Sequence, residues 1–132
     1  MRGIHHVAVF TADYPTTAAF YRDVFDADMP EVCTQPSVIR IGGATLHFFE
    51  RPDIAADWSP AHLHHFALQA ADLAQFVSVR DRLRARGACD ERVIDFGEHL
   101  SVIATDPDGG MLEVLVIDAD RENLPFAVDP HV

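Results

Sequence analysis

The run Ile4-His5-His6-Val7-Ala8-Val9 returns 59 residues later as Leu63-His64-His65-Phe66-Ala67-Leu68, and the same offset carries Asp13 onto Asp72. A chain that repeats itself at this spacing is built from two similar units, each too small to bury its own sheet faces alone. In both halves the alternating run predicts a strand, and the aspartate that follows predicts a helix N-cap. The first helix carries Tyr14, Ala18, Tyr21 and Phe25 at helical spacing, widened by Phe20 and Val24, and Pro15 fits only its first turn. The second carries Leu73, Phe76, Val77 and Leu83. Asp72 with Gln75 resembles a capping box, and Gly87 supplies a stop.

Short strand-like runs follow each helix: 31–34, 38–41 and 44–49 in the first half, and 90–94, 100–105 and 111–117 in the second. Pro36 and Gly42-Gly43 punctuate the first set, and Asp106-Pro107-Asp108-Gly109-Gly110 turns into the last strand. Each half therefore reads β-α-β-β-β. The expected fold class is α+β: two βαβββ modules forming one curved mixed sheet, a cup, with helices on its outer face. Module one spans residues 3–50, a linker 51–60, and module two 61–117, all within a single domain. A tail, 118–132, falls outside the repeat, and the sequence leaves open whether it packs across the cleft or on a partner chain.

Alternation along a strand separates its two faces. Val7 and Val9 suit a helix-packed face, so His6, Ala8 and Phe10 should face the hollow. By the same parity His65 faces inward while Phe66 and Leu68 pack outward. Leu46 and Phe48 should meet the helix, which turns Thr45, His47 and Phe49 inward. Leu112 and Val114 do the same for Glu113. The segment Thr45-Leu46-His47-Phe48-Phe49 lies over Met111-Leu112-Glu113-Val114-Leu115, so four equivalent strand positions carry His6, His47, His65 and Glu113. A single histidine on a strand is more often a hydrogen-bonded core or edge residue than a ligand. Three imidazoles and a carboxylate at symmetry-related positions instead point to a divalent-metal site. Glu113 strengthens that reading, because a carboxylate amid apolar residues is costly to bury unless it is paired or bound to metal. His5 and His64 are expected to point the other way, and His62 and His131 to lie in loop or tail.

Other residues receive smaller roles. Phe10, Phe49, Met111 and Leu115 should line the hollow and favour a substrate with an apolar or aromatic part. His99, near the rim, is an acid–base candidate by its ordinary pKa, although a solvated turn histidine is the plainer reading. Arg40 could meet a substrate carboxylate, with a surface salt bridge as the plainer alternative. Tyr21 reads as core, Arg22 as surface, and residues 80–86 as a solvated helix face.

Composition removes several function classes. The net charge of −11 should repel phosphate backbones and anionic membrane surfaces, so neither nucleic acid nor membrane is an expected partner. No apolar run is long enough to span a bilayer. The strand-like run begins directly after Gly3, so no signal peptide is expected. Cys33 and Cys89 form neither a metal-type spacing nor a disulfide framework, and a reducing cytoplasm is the expected location.

The segments HHVAVFTAD with AAFYRDVF, LHHFALQAAD and DPDGGMLEVL resemble the vicinal-oxygen-chelate superfamily. This is the glyoxalase, bleomycin resistance protein and extradiol dioxygenase family. The resemblance runs from about Gly3 to Ile117. It implies a cup of two βαβββ modules around one divalent ion (Zn, Ni, Mn, Co or Fe), a small-molecule substrate and a homodimer. Carried over by position, the family's ligands fall on His6, His65 and Glu113. The fourth position, often Glu or Gln in glyoxalases and epimerases, falls on His47. With His47 in that place, only Glu113 remains as a carboxylate base. The threonine that fosfomycin-resistance enzymes place two residues after the first histidine is replaced by Ala8. Bleomycin-type binders generally lack the metal ligands, so the complete set argues against simple sequestration. The reading is a metal-dependent enzyme of glyoxalase type, a lyase or isomerase, with Glu113 catalytic. Its alternatives are an Fe(II) extradiol dioxygenase, with His6, His65 and Glu113 as the 2-His-1-carboxylate set, and a non-catalytic drug- or metabolite-binding protein. If His47 also binds, two coordination positions stay free, enough for a chelating substrate but not for dioxygen as well.

Overall fold

The structure, a computed structural model, describes residues 1–55 and 65–131. His62 and His64, and residues 56–60 of the expected linker, lie outside the described residues. The chain groups into two compact units: Met1–Ser59 with Asp106–Gly109, and Pro60–Thr105 with Gly110–Val132.

The first unit contains β1 (Val7–Thr11), α1 (Tyr14–Phe25), β2 (Ser37–Ile41), β3 (Ala44–Glu50) and the short helix α2 (Pro52–Ala55). Its three-stranded sheet has the order β1-β3-β2. β3 runs parallel to β1 and antiparallel to β2. Asp13 caps α1, its carboxylate accepting from the Thr16 N–H at 3.3 Å and the Thr16 hydroxyl at 2.8 Å. Asp26, in the left-handed region at φ 54°, closes the other end. The helix buries Tyr14, Ala18, Phe20, Tyr21 and Val24, and Tyr21 meets Phe48 of β3 with ring centroids 5.2 Å apart.

Two expectations need correction in this unit. Residues 31–34 form no strand. The outer edge of β2 is already engaged by Asp28, which exchanges both backbone hydrogen bonds with Arg40 at 3.0 Å. The 34–35 segment is instead fastened by side chains. The Thr34 N–H donates to Ser37 Oγ, and the Gln35 amide both donates to and accepts from the Glu50 backbone at 3.1 Å. The second correction is α2, which starts where an irregular linker was expected. Pro52 suits a first helical position because its missing N–H is not needed there.

The second unit contains β4 (Phe66–Gln69), α3 (Leu73–Ala85), β5 (Val93–Asp95), β6 (His99–Thr105), β7 (Met111–Ile117) and β8 (Val128–Pro130). Its five-stranded mixed sheet has the order β4-β7-β6-β5-β8. The capping box forms: the Gln75 N–H donates to Asp72 at 2.8 Å, and the Gln75 side chain reaches back to the Ala71 N–H at 2.7 Å. Gly87, at φ 65°, ends the helix turn by donating to the Arg84 carbonyl.

The buried stripe of α3 keeps the expected Phe76 and Leu83 but is completed by Val79 and Arg80, while Leu73 and Val77 are only partly buried. Arg80 is therefore not on a solvated face. It is 7 % exposed, its guanidinium sits 5.1 Å over the Phe126 ring, and it donates to the Glu91 carbonyl at 2.9 Å. The tail is also placed. Its strand β8 pairs in parallel with β5, and Arg121 clamps Asp95 at 2.8 and 2.9 Å. The architecture is thus α+β with two mixed sheets of three and five strands. Among the described residues, no helix is long and apolar enough to cross a membrane.

Candidate metal centre

In the first unit, β1 and β3 set Ala8 opposite His47 and Phe10 opposite Phe49. Alternation then puts Ala8, Phe10, His47 and Phe49 on one face, while Leu46 and Phe48 are buried on the other; His6 immediately precedes β1. The structure brings His6 and His47 together, with rings stacked at 3.8 Å between centroids and 10° between planes. Phe10 and Phe49 lie further along the same face, 6.4 Å apart, and Phe10 is 44 % exposed. Partial burial, followed by the neighbouring His6 and His5 imidazoles, pushes the His47 pKa below the usual histidine value. That favours the neutral, ligand-competent imidazole.

His5 departs from expectation. The strand begins only at Val7, so alternation does not reach back to residue 5. The His5 Nδ1 lies 2.9 Å from the His6 Nδ1, with the rings edge-on at 5.2 Å. Arg40 is exposed and pairs across β2 and β3 with Thr45, on the face that carries His47. Among the described residues it makes no salt bridge.

The second unit repeats the arrangement. β4 and β7 set Ala67 opposite Glu113, as β1 and β3 set Ala8 opposite His47. His65 and Glu113 are brought together, Nε2 to Oε2, at 3.2 Å. Met111 and Leu115 flank Glu113 on the same face of β7, half-buried.

Glu113 has further partners that the sequence reading missed. Ser101, fully buried on β6, donates its hydroxyl to Oε1 at 2.6 Å, and His99 Nε2 stands 3.6 Å from the same oxygen. His99 is thus not a solvated turn residue. Its ring stacks on Phe96 at 4.8 Å, and Phe96 stacks on His131 of the tail at 4.5 Å. A signal for Ser101 existed: it is the one hydroxyl in the apolar run Leu100-Ser101-Val102-Ile103-Ala104. A buried hydroxyl needs a partner, and a neighbouring carboxylate provides one.

Asp108 and Asp106 serve the first unit. Asp108 accepts from the Ala12 N–H at 2.8 Å and the Thr17 hydroxyl at 3.2 Å, and Asp106 accepts from the Tyr21 hydroxyl at 3.4 Å. Burial, then the Asp106 charge, pushes the Tyr21 phenol well above its usual pKa.

Among the described residues, no group of three or more His, Cys, Asp or Glu is arranged to hold a metal ion. The donors fit one by type. The first unit offers two imidazoles and the second an imidazole with a carboxylate, and each is a ligand type that Zn, Ni, Co, Mn or Fe accepts. The orientation of one pair does not yet suit a shared ion. Ring-nitrogen lone pairs lie in the ring plane, so two stacked, nearly parallel imidazoles direct theirs side by side. One ring must turn before both can meet the same ion.

Residues 3–114 match the model of the Glyoxalase/Bleomycin resistance protein/Dioxygenase superfamily, and the chain belongs to that superfamily. No curated protein sequence matches it significantly. Among solved structures, a lactoylglutathione lyase from Agrobacterium tumefaciens is similar at 24 % identity and TM-score 0.66, covering 88 % of this chain and 94 % of that one. The fosfomycin resistance protein FosX from Listeria monocytogenes is similar at 19 % identity and TM-score 0.70, covering 88 % and 93 %. The oxidase ChaP-H1 is similar at 21 % identity and TM-score 0.67, covering 88 % and 96 %. At these identities the likeness shows the shared fold.

Proposed function

We propose that this protein is a metal-dependent enzyme of glyoxalase type, a lyase or isomerase acting on a small substrate with two neighbouring oxygens. The carrying observation is the pairing of ligand-type side chains at repeat-equivalent positions: His6 with His47, and His65 with Glu113. These four residues are the proposed ligand set, and a homodimer is the proposed assembly. A divalent ion bound there would act as a Lewis acid on the chelated oxygens. Glu113 is the proposed proton carrier and works through Oε2, because Oε1 is engaged by Ser101. Phe10, Phe49, Met111 and Leu115 offer apolar surface beside the ligands, and Arg40 offers a cation for an anionic substrate group.

One observation favours a second reading, an Fe(II) extradiol dioxygenase. If the His6–His47 stack persists with His47 outside the coordination sphere, His6, His65 and Glu113 remain as a 2-His-1-carboxylate set. Elemental analysis of untagged protein, purified anaerobically without chelators, separates the possibilities. One equivalent of nickel, zinc, cobalt or manganese, lost in H47A, supports the first reading. Iron that is lost in air and retained by H47A supports the second. Absence of metal after supplementation with each ion overturns both and leaves a binding protein.

A further inference from the structure

We propose that Ser101 is a positioning residue for Glu113, holding one carboxylate oxygen so that the other is presented beside His65. The inference rests on the metal reading above and assigns a residue that reading does not contain. Ser101 lies in the middle of β6, paired with Ile94 on one side and with Leu115 on the other. Both ladders hold its backbone, so the hydroxyl rotor is its only free element. It sits diagonally across from Glu113, whose direct partner on β6 is Ile103.

The hydroxyl has one proton, and it is given to Oε1 at 2.6 Å, within the range of a hydrogen bond to an ionised acceptor. Side-chain exposure of Glu113 is 12 %, so water competes little for that oxygen. With Oε1 tied, rotation about the last side-chain bond is blocked, and Oε2 stays on the His65 side at 3.2 Å. A carboxylate fixed in this way is preorganised to bind through one oxygen, and partners that orient a ligand from behind govern metal affinity.

The test uses the full chain and a valine–threonine pair, which match in shape and differ in the hydroxyl. Zn²⁺ and Co²⁺ affinities are measured by competition with a chromophoric chelator, and the visible spectrum of the Co²⁺-loaded protein reports the ligand field. S101V is expected to bind roughly 10- to 100-fold more weakly and to change the Co²⁺ spectrum, while S101T keeps both close to wild type. If S101V binds as wild type does, Ser101 is a packing residue and the inference falls while the metal reading stands. Equal losses in S101V and S101T assign the effect to strand packing and also overturn it. If the wild type binds neither ion, the metal reading fails and takes this inference with it.

Discussion

The residue that ties the second unit's candidate site together is Glu113, a carboxylate amid Leu112, Val114 and Val116. It is tolerated there because Ser101, His65 and His99 surround its two oxygens. Its burial alone is therefore explained without a metal, and the case for a metal rests on the ligand-type pairs at repeat-equivalent positions, His6 with His47 and His65 with Glu113. Asp95 shows a second residue-scale effect. Its hydrogen bonds from Arg121, then from the Gly97 N–H, hold its pKa down from 3.8 to about 2. A depressed carboxylate pKa contributes stability above the unfolded value and loses it as pH falls through the folded one. The contribution should be intact above about pH 4 and disappear between there and pH 2. Urea melts of wild type and R121M across pH 2 to 6 should differ at the upper end and converge toward pH 2. A gap that stays constant with pH would reject this account.

At the scale of elements, capping and register do most of the placing. Asp72 satisfies a first-turn N–H of α3, so D72A should cost about 1 kcal/mol in urea unfolding without altering the sheet. Phe76 is fully buried, and F76A should cost roughly 3–5 kcal/mol by the same measurement. The register of β2 on β3 carries the Arg40 prediction, since it puts that cation on the His47 face. With metal-loaded protein, R40M should weaken binding of 3,4-dihydroxybenzoate several-fold and leave 4-methylcatechol unchanged. Equal effects on the two would remove Arg40 from substrate recognition. Arg80 illustrates what a helical wheel misses. Its charge argued for solvent, yet its planar guanidinium covers Phe126 and bonds a carbonyl.

At the scale of the whole chain, the tail is part of the second unit. β8 covers the edge of β5, Arg121 holds Asp95, and His131 stacks on Phe96. Deleting residues 119–132 should lower the melting temperature and expose an unpaired strand edge. Sedimentation should then show larger, concentration-dependent species beyond those formed by the full chain. Unchanged melting and association would mean that the tail contributes nothing to the fold.

The repeat alone determined much: two helices with aspartate caps, and the strand parity that sets His47 opposite in face to Leu46 and Phe48, and Glu113 opposite in face to Leu112 and Val114. These follow from local rules, the helical and strand periods and the preference of aspartate for a free helix N-terminus. Tertiary structure decided the rest. It joined Ser101 and His99 to Glu113, turned His5 toward His6, sank Arg80 into the core and made the tail a strand. Each of these depends on which partner a polar group finds across the chain. A one-dimensional period specifies the face a side chain occupies and leaves unspecified what stands opposite it.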